Sequence, residues 1–294
     1  MSSTIPSTAT STASAAVAKA RQATRGDLPV DQTITFDGKP ALRVRFYGHR
    51  QMSASSAQPL VVHFHAGTFV SGDLDSGSVI GHLLAEAGAV VMSVDYPLAP
   101  AHPFPAAVEA GHAALAWAWR YRGRLAGAGA PVYLAGEEAG GNLAAAIGLK
   151  SRDLQRPLLA GQILLSPMLD TCVATASLRS AKAGPVGCRW ADGWHDYLQR
   201  PDDAMHPYAA PGRAMRLSLL PRTLLVTAED DPMRDETRAF ASRLRDAGVP
   251  VDEALLTAVT GWPCSFMDSA SRGAAWISPL RERLQRFLAT QPEP

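Results

Sequence analysis

Short, nearly continuous apolar runs alternate along the chain with longer stretches whose apolar residues recur three and four positions apart. The runs at 59–64, 89–95, 131–135, 161–166, 223–227 and 251–256 predict strands buried on both faces. Helical spacing marks 76–88 (Val79, Ile80, Leu83, Leu84), 105–121 (Val108, Leu115, Trp119), 140–149, 235–247 and about 273–289. Asp37-Gly38 separates two alternating runs and is a hairpin signal. Strands that alternate with helices predict an α/β fold, with a mostly parallel central sheet flanked by helices. Ligands on such sheets bind outside the carboxyl ends of the strands.

The stretch from about 170 to 220 breaks this rhythm and carries Trp190, Trp194, Tyr197 and Tyr208. Ordinary connections run ~2–6 residues, and aromatics at this density need a surface to pack on. The stretch is therefore expected to be a cap, or lid, inserted over the carboxyl edge of the sheet. Residues 1–25, rich in Ser, Thr and Ala, are expected to be a disordered or cap-forming tail. Within them, Ala16, Val17 and Ala20 would share one face of a short helix. Residues 26–294 are expected to form a single domain.

Composition narrows the function classes. At ~150 residues per domain, 294 residues suit about two domains or one large α/β domain. Hydrophobic residues make up 47% and charged residues 19%, which excludes wholesale disorder. The net charge of +1 gives no electrostatic footprint for nucleic acid or an anionic membrane. Cys172, Cys188 and Cys264 are too few for a disulfide framework or a four-cysteine zinc site. No leader pattern and no run of ~20 apolar residues is present, so the expected location is the cytoplasm. All eight histidines lie at or before His206.

Four segments carry candidate chemistry. Residues 63–73 read HFHAGTFVSGD and follow a predicted strand; residues 95–107 read DYPLAPAHPFPAA. Residues 134–144 read LAGEEAGGNLA, between strand and helix, and residues 228–236 read AEDDPMRDE, after a strand. In this order and spacing, from about residue 30 to 290, they resemble the hormone-sensitive-lipase group of α/β-hydrolases. The resemblance implies the α/β-hydrolase fold and carboxylesterase or lipase activity without a cofactor or metal. It also implies an HGGG-type oxyanion loop, a nucleophile elbow, and an Asp and then a His completing the triad. Residue by residue, the oxyanion donors fall on the backbone of Gly67 and Thr68, with Ala139 as a third. The serine position holds Glu138, the aspartate position Asp231, and the histidine position, within Gly261 to Phe266, holds Cys264. No histidine follows His206, so no other register restores a base after the acid. Losing the serine or the base of a comparable triad costs ~10⁶-fold in rate.

Glu138 on the elbow sits at a helix N-terminus among N–H donors, where an anion is favoured. Its side chain is long enough to fold its carboxylate into the oxyanion hole, accepting from Ala139 and from Gly67 or Thr68. Three functional readings follow. The first is a non-hydrolytic protein that binds a small apolar or ester-like ligand, as receptor, sensor or regulatory subunit, in a pocket walled by Phe69, Trp190, Trp194 and Trp262. The second is an enzyme of altered chemistry, a lyase, isomerase or hydrolase, with Glu138 as base or nucleophile and Asp231 as second carboxylate. The third is an esterase using another serine, such as Ser265. A structural role through a homodimer, built on the last strand and helix, is a further alternative.

The remaining polar residues have plainer readings. Cys264 is expected as a small buried filler, because no imidazole activates it. A metal held by Glu138, Asp231 and Cys264 would be an unusual ligand set. His65 is expected to orient the loop backbone and His63 to be a hydrogen-bonded core residue. Asp235 and Glu236 read as cap and first-turn charges of a helix, and 102–105 as a rigid turn.

Overall fold

The computed structural model describes residues 29–50, 57–172, 174–180 and 185–290. The expected tail at 1–25 and its short helix lie outside the described residues. The chain begins with a hairpin, β1 (Val30–Phe36) and β2 (Lys39–Tyr47), turning at Asp37-Gly38. There follow β3 (Leu60–Phe64), α1 (Ser78–Glu86), β4 (Val90–Val94), α2 (Ala106–Leu125), β5 (Val132–Glu137), α3 (Ala139–Asp153) and β6 (Gly161–Leu165). The last part holds α4 (Ala176–Ser180), α5 (Pro185–Tyr197), β7 (Thr223–Ala228), α6 (Arg234–Asp246), β8 (Val251–Leu256) and α7 (Ile277–Ala289).

The strands form one sheet in the order β1-β2-β4-β3-β5-β6-β7-β8. The β1–β2 and β2–β4 pairs are antiparallel, and the other pairs are parallel. Every residue of β3, β4, β5, β6 and β7 is buried, which is why these runs are mostly apolar, with polar residues such as His63, Ser93 and Glu137 held by hydrogen bonds. Edge strand β1 instead alternates, with Gln32 and Ile34 inward. Successive strand residues serve opposite faces: Val62, Phe64 and Leu134 join α2, α3 and α6, whereas Val61, Tyr133 and Ala135 join α1 and α7. Helix α3 is buried along nearly its whole length. It lies close enough to β3 that a Cβ on Gly140 would sit 2.0 Å from the Phe64 carbonyl oxygen.

The carboxyl ends of β3, β5 and β7 lead into 65–69, Glu138 and Asp231, so the parallel arrangement gathers these positions at one edge of the sheet. Between β6 and β7 the chain forms α4, α5 and two short 3₁₀ turns, Pro201–Met205 and Pro211–Arg213. The side chain of Asn142, on α3, fastens two parts of this segment by donating to the carbonyls of Met168 (2.7 Å) and Ala209 (3.0 Å).

Candidate active-site region

The turn from β5 into α3 forces Glu138 into a left-handed backbone, φ 52°. Such a conformation in a non-glycine residue is costly, and it persists only where the surroundings over-determine it. Here the Glu138 N–H donates to the Leu165 carbonyl (3.0 Å), and its own carbonyl accepts from Met168 (3.0 Å) and Asn142 (3.1 Å). The strained turn aims the side chain at the loop after β3, and Glu138 is fully buried.

Both carboxylate oxygens of Glu138 are engaged. Oε2 accepts from the backbone N–H of Gly67 (2.7 Å) and of Thr68 (3.0 Å). Oε1 accepts from the Trp190 indole N–H (2.8 Å) and the Arg189 guanidinium (3.3 Å), both on α5. Among the described residues, Gly67 and Thr68 are the backbone amides that reach it; Ala139, expected as a third donor, is not one of them. Ala139 opens α3, and the carboxylate reaches away from that turn toward the β3 loop.

The loop is braced from several sides. The neighbouring residue Glu137, also fully buried, accepts from the Ala66 N–H (3.3 Å) through Oε1. Its Oε2 meets His63 Nε2 at 2.8 Å, and His63 Nδ1 meets the Ser93 hydroxyl at 2.9 Å. Three successive amides, Ala66, Gly67 and Thr68, thus end on two successive glutamates. The His65 ring stacks on Tyr96 at 4.3 Å, and its Nδ1 lies 2.7 Å from the Ala66 carbonyl. Burial pushes the His65 imidazole below its ordinary range, so the neutral ring donates from Nδ1 to that carbonyl. The Tyr96 hydroxyl in turn donates to the His65 carbonyl at 2.8 Å.

Asp231 is also buried. Its Oδ1 accepts from the Ser166 hydroxyl (2.7 Å) and the Met233 N–H (2.9 Å), and its Oδ2 from the Thr227 hydroxyl (2.6 Å). Burial pushes the Asp231 carboxyl up to about 6, and these three donors oppose the shift. The adjacent Asp230 holds the next loop, accepting from the N–H groups of Thr260 (2.8 Å) and Gly261 (2.9 Å). That loop carries Cys264, which lies exposed rather than buried as expected. It opens a 3₁₀ turn, Cys264–Phe266, in which Phe266 takes the inward place. The Cys264 Sγ lies 3.7 Å from Arg189 Nη1.

The four expected wall residues divide into two groups. Phe69 stacks on Tyr197 at 4.0 Å and packs against Trp194 at 5.0 Å, and together with Trp190 they belong to the core on the α2, α3 and α6 face. Trp262 does not join them. It packs against Phe266 (4.6 Å) and Trp276 (5.5 Å) on the face covered by α1 and α7. The loop after the edge strand β8 turns toward α7, and the indole finds its aromatic partners there. No three His, Cys, Asp or Glu side chains among the described residues converge as a metal site.

Sequence reasoning missed several of these groups. Arg189 had no motif to mark it. Ser166, with φ 47°, and Thr227 meet Asp231 only because β6 and β7 are neighbours. Glu236, expected as a first-turn charge, is buried and accepts from the N–H groups of Leu169 (3.3 Å) and Asp170 (3.0 Å). Burial pushes its carboxyl up to about 8. Asp235, by contrast, faces the start of α4 and accepts from the Ser177 N–H at 2.7 Å.

Residues 61–260 match the family described as the alpha/beta hydrolase fold. The chain is 40% identical to an esterase, LipI, of Mycobacterium tuberculosis over 234 residues, 76% of this chain and 71% of that protein. A gibberellin receptor, GID1B, of Arabidopsis thaliana is 29% identical over 69% of this chain and 60% of its own length. Among solved structures, a hyperthermophilic esterase from the archaeon Pyrobaculum calidifontis superimposes with a TM-score of 0.76 and 32% identity. That match covers 95% of this chain and 92% of the esterase.

Proposed function

This chain belongs to the alpha/beta hydrolase fold family, of the hormone-sensitive-lipase and carboxylesterase type, and from that premise we propose that it binds a small apolar or ester-like ligand without hydrolysing it. The observation that carries this reading is the place of the Glu138 carboxylate. Its Oε2, 2.7 and 3.0 Å from the amides of Gly67 and Thr68, stands where the oxyanion of a tetrahedral intermediate would accept the same bonds. A substrate carbonyl cannot use those donors while the Glu138 carboxyl oxygen does. The same contacts weigh against Glu138 as a base or nucleophile, because each oxygen already accepts two N–H groups. The fold is thereby kept for recognition, and a receptor among the relatives is consistent with such a use. A regulatory or sensing role is the use that this reading proposes.

The test is a hydrolysis assay with p-nitrophenyl acetate and butyrate, paired with thermal denaturation in the presence of the corresponding unreactive ethers. The expected result is no saturable turnover, with a ligand-dependent rise in Tm. Saturable turnover that Glu138→Gln abolishes would overturn the reading in favour of carboxylate catalysis. Turnover that survives Glu138→Gln would point to a serine elsewhere and overturn it as well.

A further inference from the structure

Helix α5 faces the site on three successive turns, meeting the elbow on the first and the β3 loop on the other two. Arg189 and Trp190 meet the Glu138 carboxylate on the first. On the second, Gly193 lies so close that a Cβ there would sit 2.4 Å from the Thr68 carbonyl oxygen and 2.9 Å from the Thr68 Cβ. On the third, Tyr197 stacks on Phe69 with the rings 4° from parallel, and its carbonyl accepts from the Phe104 N–H at 2.9 Å. The second and third contacts rest mainly on van der Waals packing. The first is polar: Glu138 and Trp190 are fully buried, and Arg189, 34% exposed, closes it from the solvent side.

The two oxygens of Glu138 divide between two bodies. Oε2 serves the loop and Oε1 serves α5. Only a carboxylate suits this place, because all four partners are donors and both oxygens must accept. A glutamine would turn its NH₂ toward one pair of N–H groups and leave that pair unpaired.

We propose that Glu138 is a tie, a carboxylate in the oxyanion position that binds the overlying helix α5 to the β3 loop and holds it closed over the site. The group that fills the oxyanion hole is then also the group that sets how readily the site opens. This role stands independently of whether any ligand is bound or turned over.

Hydrogen–deuterium exchange of the full chain without ligand, read on peptides spanning 189–197 and 277–289, tests this. Glu138→Ala is expected to speed exchange over 189–197 by tenfold or more and to leave α7 unchanged. Acetate replaces the lost CH₂–COO⁻ fragment, so it is expected to slow that exchange again in the variant and not in the parent, beyond the effect of chloride at equal ionic strength. Unchanged exchange over 189–197, or an acetate effect no larger than that of chloride, overturns the proposal. Should Glu138→Ala fail to fold, Trp190→Phe leaves the carboxylate and the loop amides in place. It is expected to speed exchange over the same peptide several-fold, and parent-like exchange there overturns the tie.

Discussion

Glu137 and Glu138 are adjacent in sequence and equally buried, yet they face different partners. Glu137 faces back into the sheet toward His63, and Glu138 faces out toward α5. Glu137 ends β5 and Glu138 lies in the left-handed turn that follows, so the two side chains leave the elbow in different directions. Two other buried carboxyls, Asp231 at about 6 and Glu236 at about 8, are held above their ordinary range by desolvation. The sign of their linkage is definite. As pH rises, the unfolded chain releases these protons first, while the folded chain keeps them until about 6 and about 8. Each group therefore makes the fold less stable with rising pH across its own interval, by about 1.4 kcal/mol per pH unit. Asp31, Asp73, Asp153 and Asp235 are shifted downward and act only in more acid solution. His65, His82 and His206 are shifted downward by burial and oppose this fall up to about 6.5, so the urea midpoint is expected to fall between about pH 6.5 and pH 8. Glu236→Gln, which keeps an acceptor for Leu169 and Asp170, should flatten that fall. An unchanged slope in the variant would assign the dependence to other groups.

At the scale of elements, the elbow depends on the closeness of α3 to β3. A Cβ on Gly140 would lie 2.0 Å from the Phe64 carbonyl oxygen and 2.5 Å from that of His65, both backbone atoms at the end of a central strand. The first belongs to a paired strand and the second accepts from the Tyr96 hydroxyl, so Gly140→Ala is expected to cost about 3 kcal/mol or more, or to prevent folding. Urea denaturation checks the first outcome and soluble yield the second. A near-neutral result would mean that α3 can slide on the sheet. The same closeness brings the Glu138 backbone and the β3 loop within reach of one side chain. The aromatic density of 170–220 marked the segment over the site, but α5 reaches Glu138 through Arg189 as well as Trp190, and only the indole belongs to the aromatic signal.

At the scale of the whole molecule, the site draws on the loop after β3, the elbow after β5, the turn after β7 and the loop after β8. Asp230 pins the last of these beside Asp231, and Asp231 is buried and hydrogen-bonded. The double substitution Glu138→Ser with Cys264→His is accordingly expected to give slow hydrolysis of p-nitrophenyl acetate above the parent level, lost again on adding Asp231→Asn. No activity in the double variant would mean that the loop after β8 no longer brings residue 264 to the elbow. The alternation of apolar runs and helical spacings by itself determined the mostly parallel sheet and its flanking helices, because burial of both sheet faces writes itself into local patterning. Motif order located Gly67, Thr68, Glu138 and Asp231 for the same reason: sharp turns and strand ends have local signatures. Partners brought together by strand neighbours and overlying helices leave no such trace. The Ser166 and Thr227 hydroxyls on Asp231, the exposure of Cys264, the turn of Trp262 toward Trp276 and the approach of Arg189 to Glu138 were decided by the tertiary structure alone. Each depends on which distant segments share a surface, and a chain's own periodicity does not encode that.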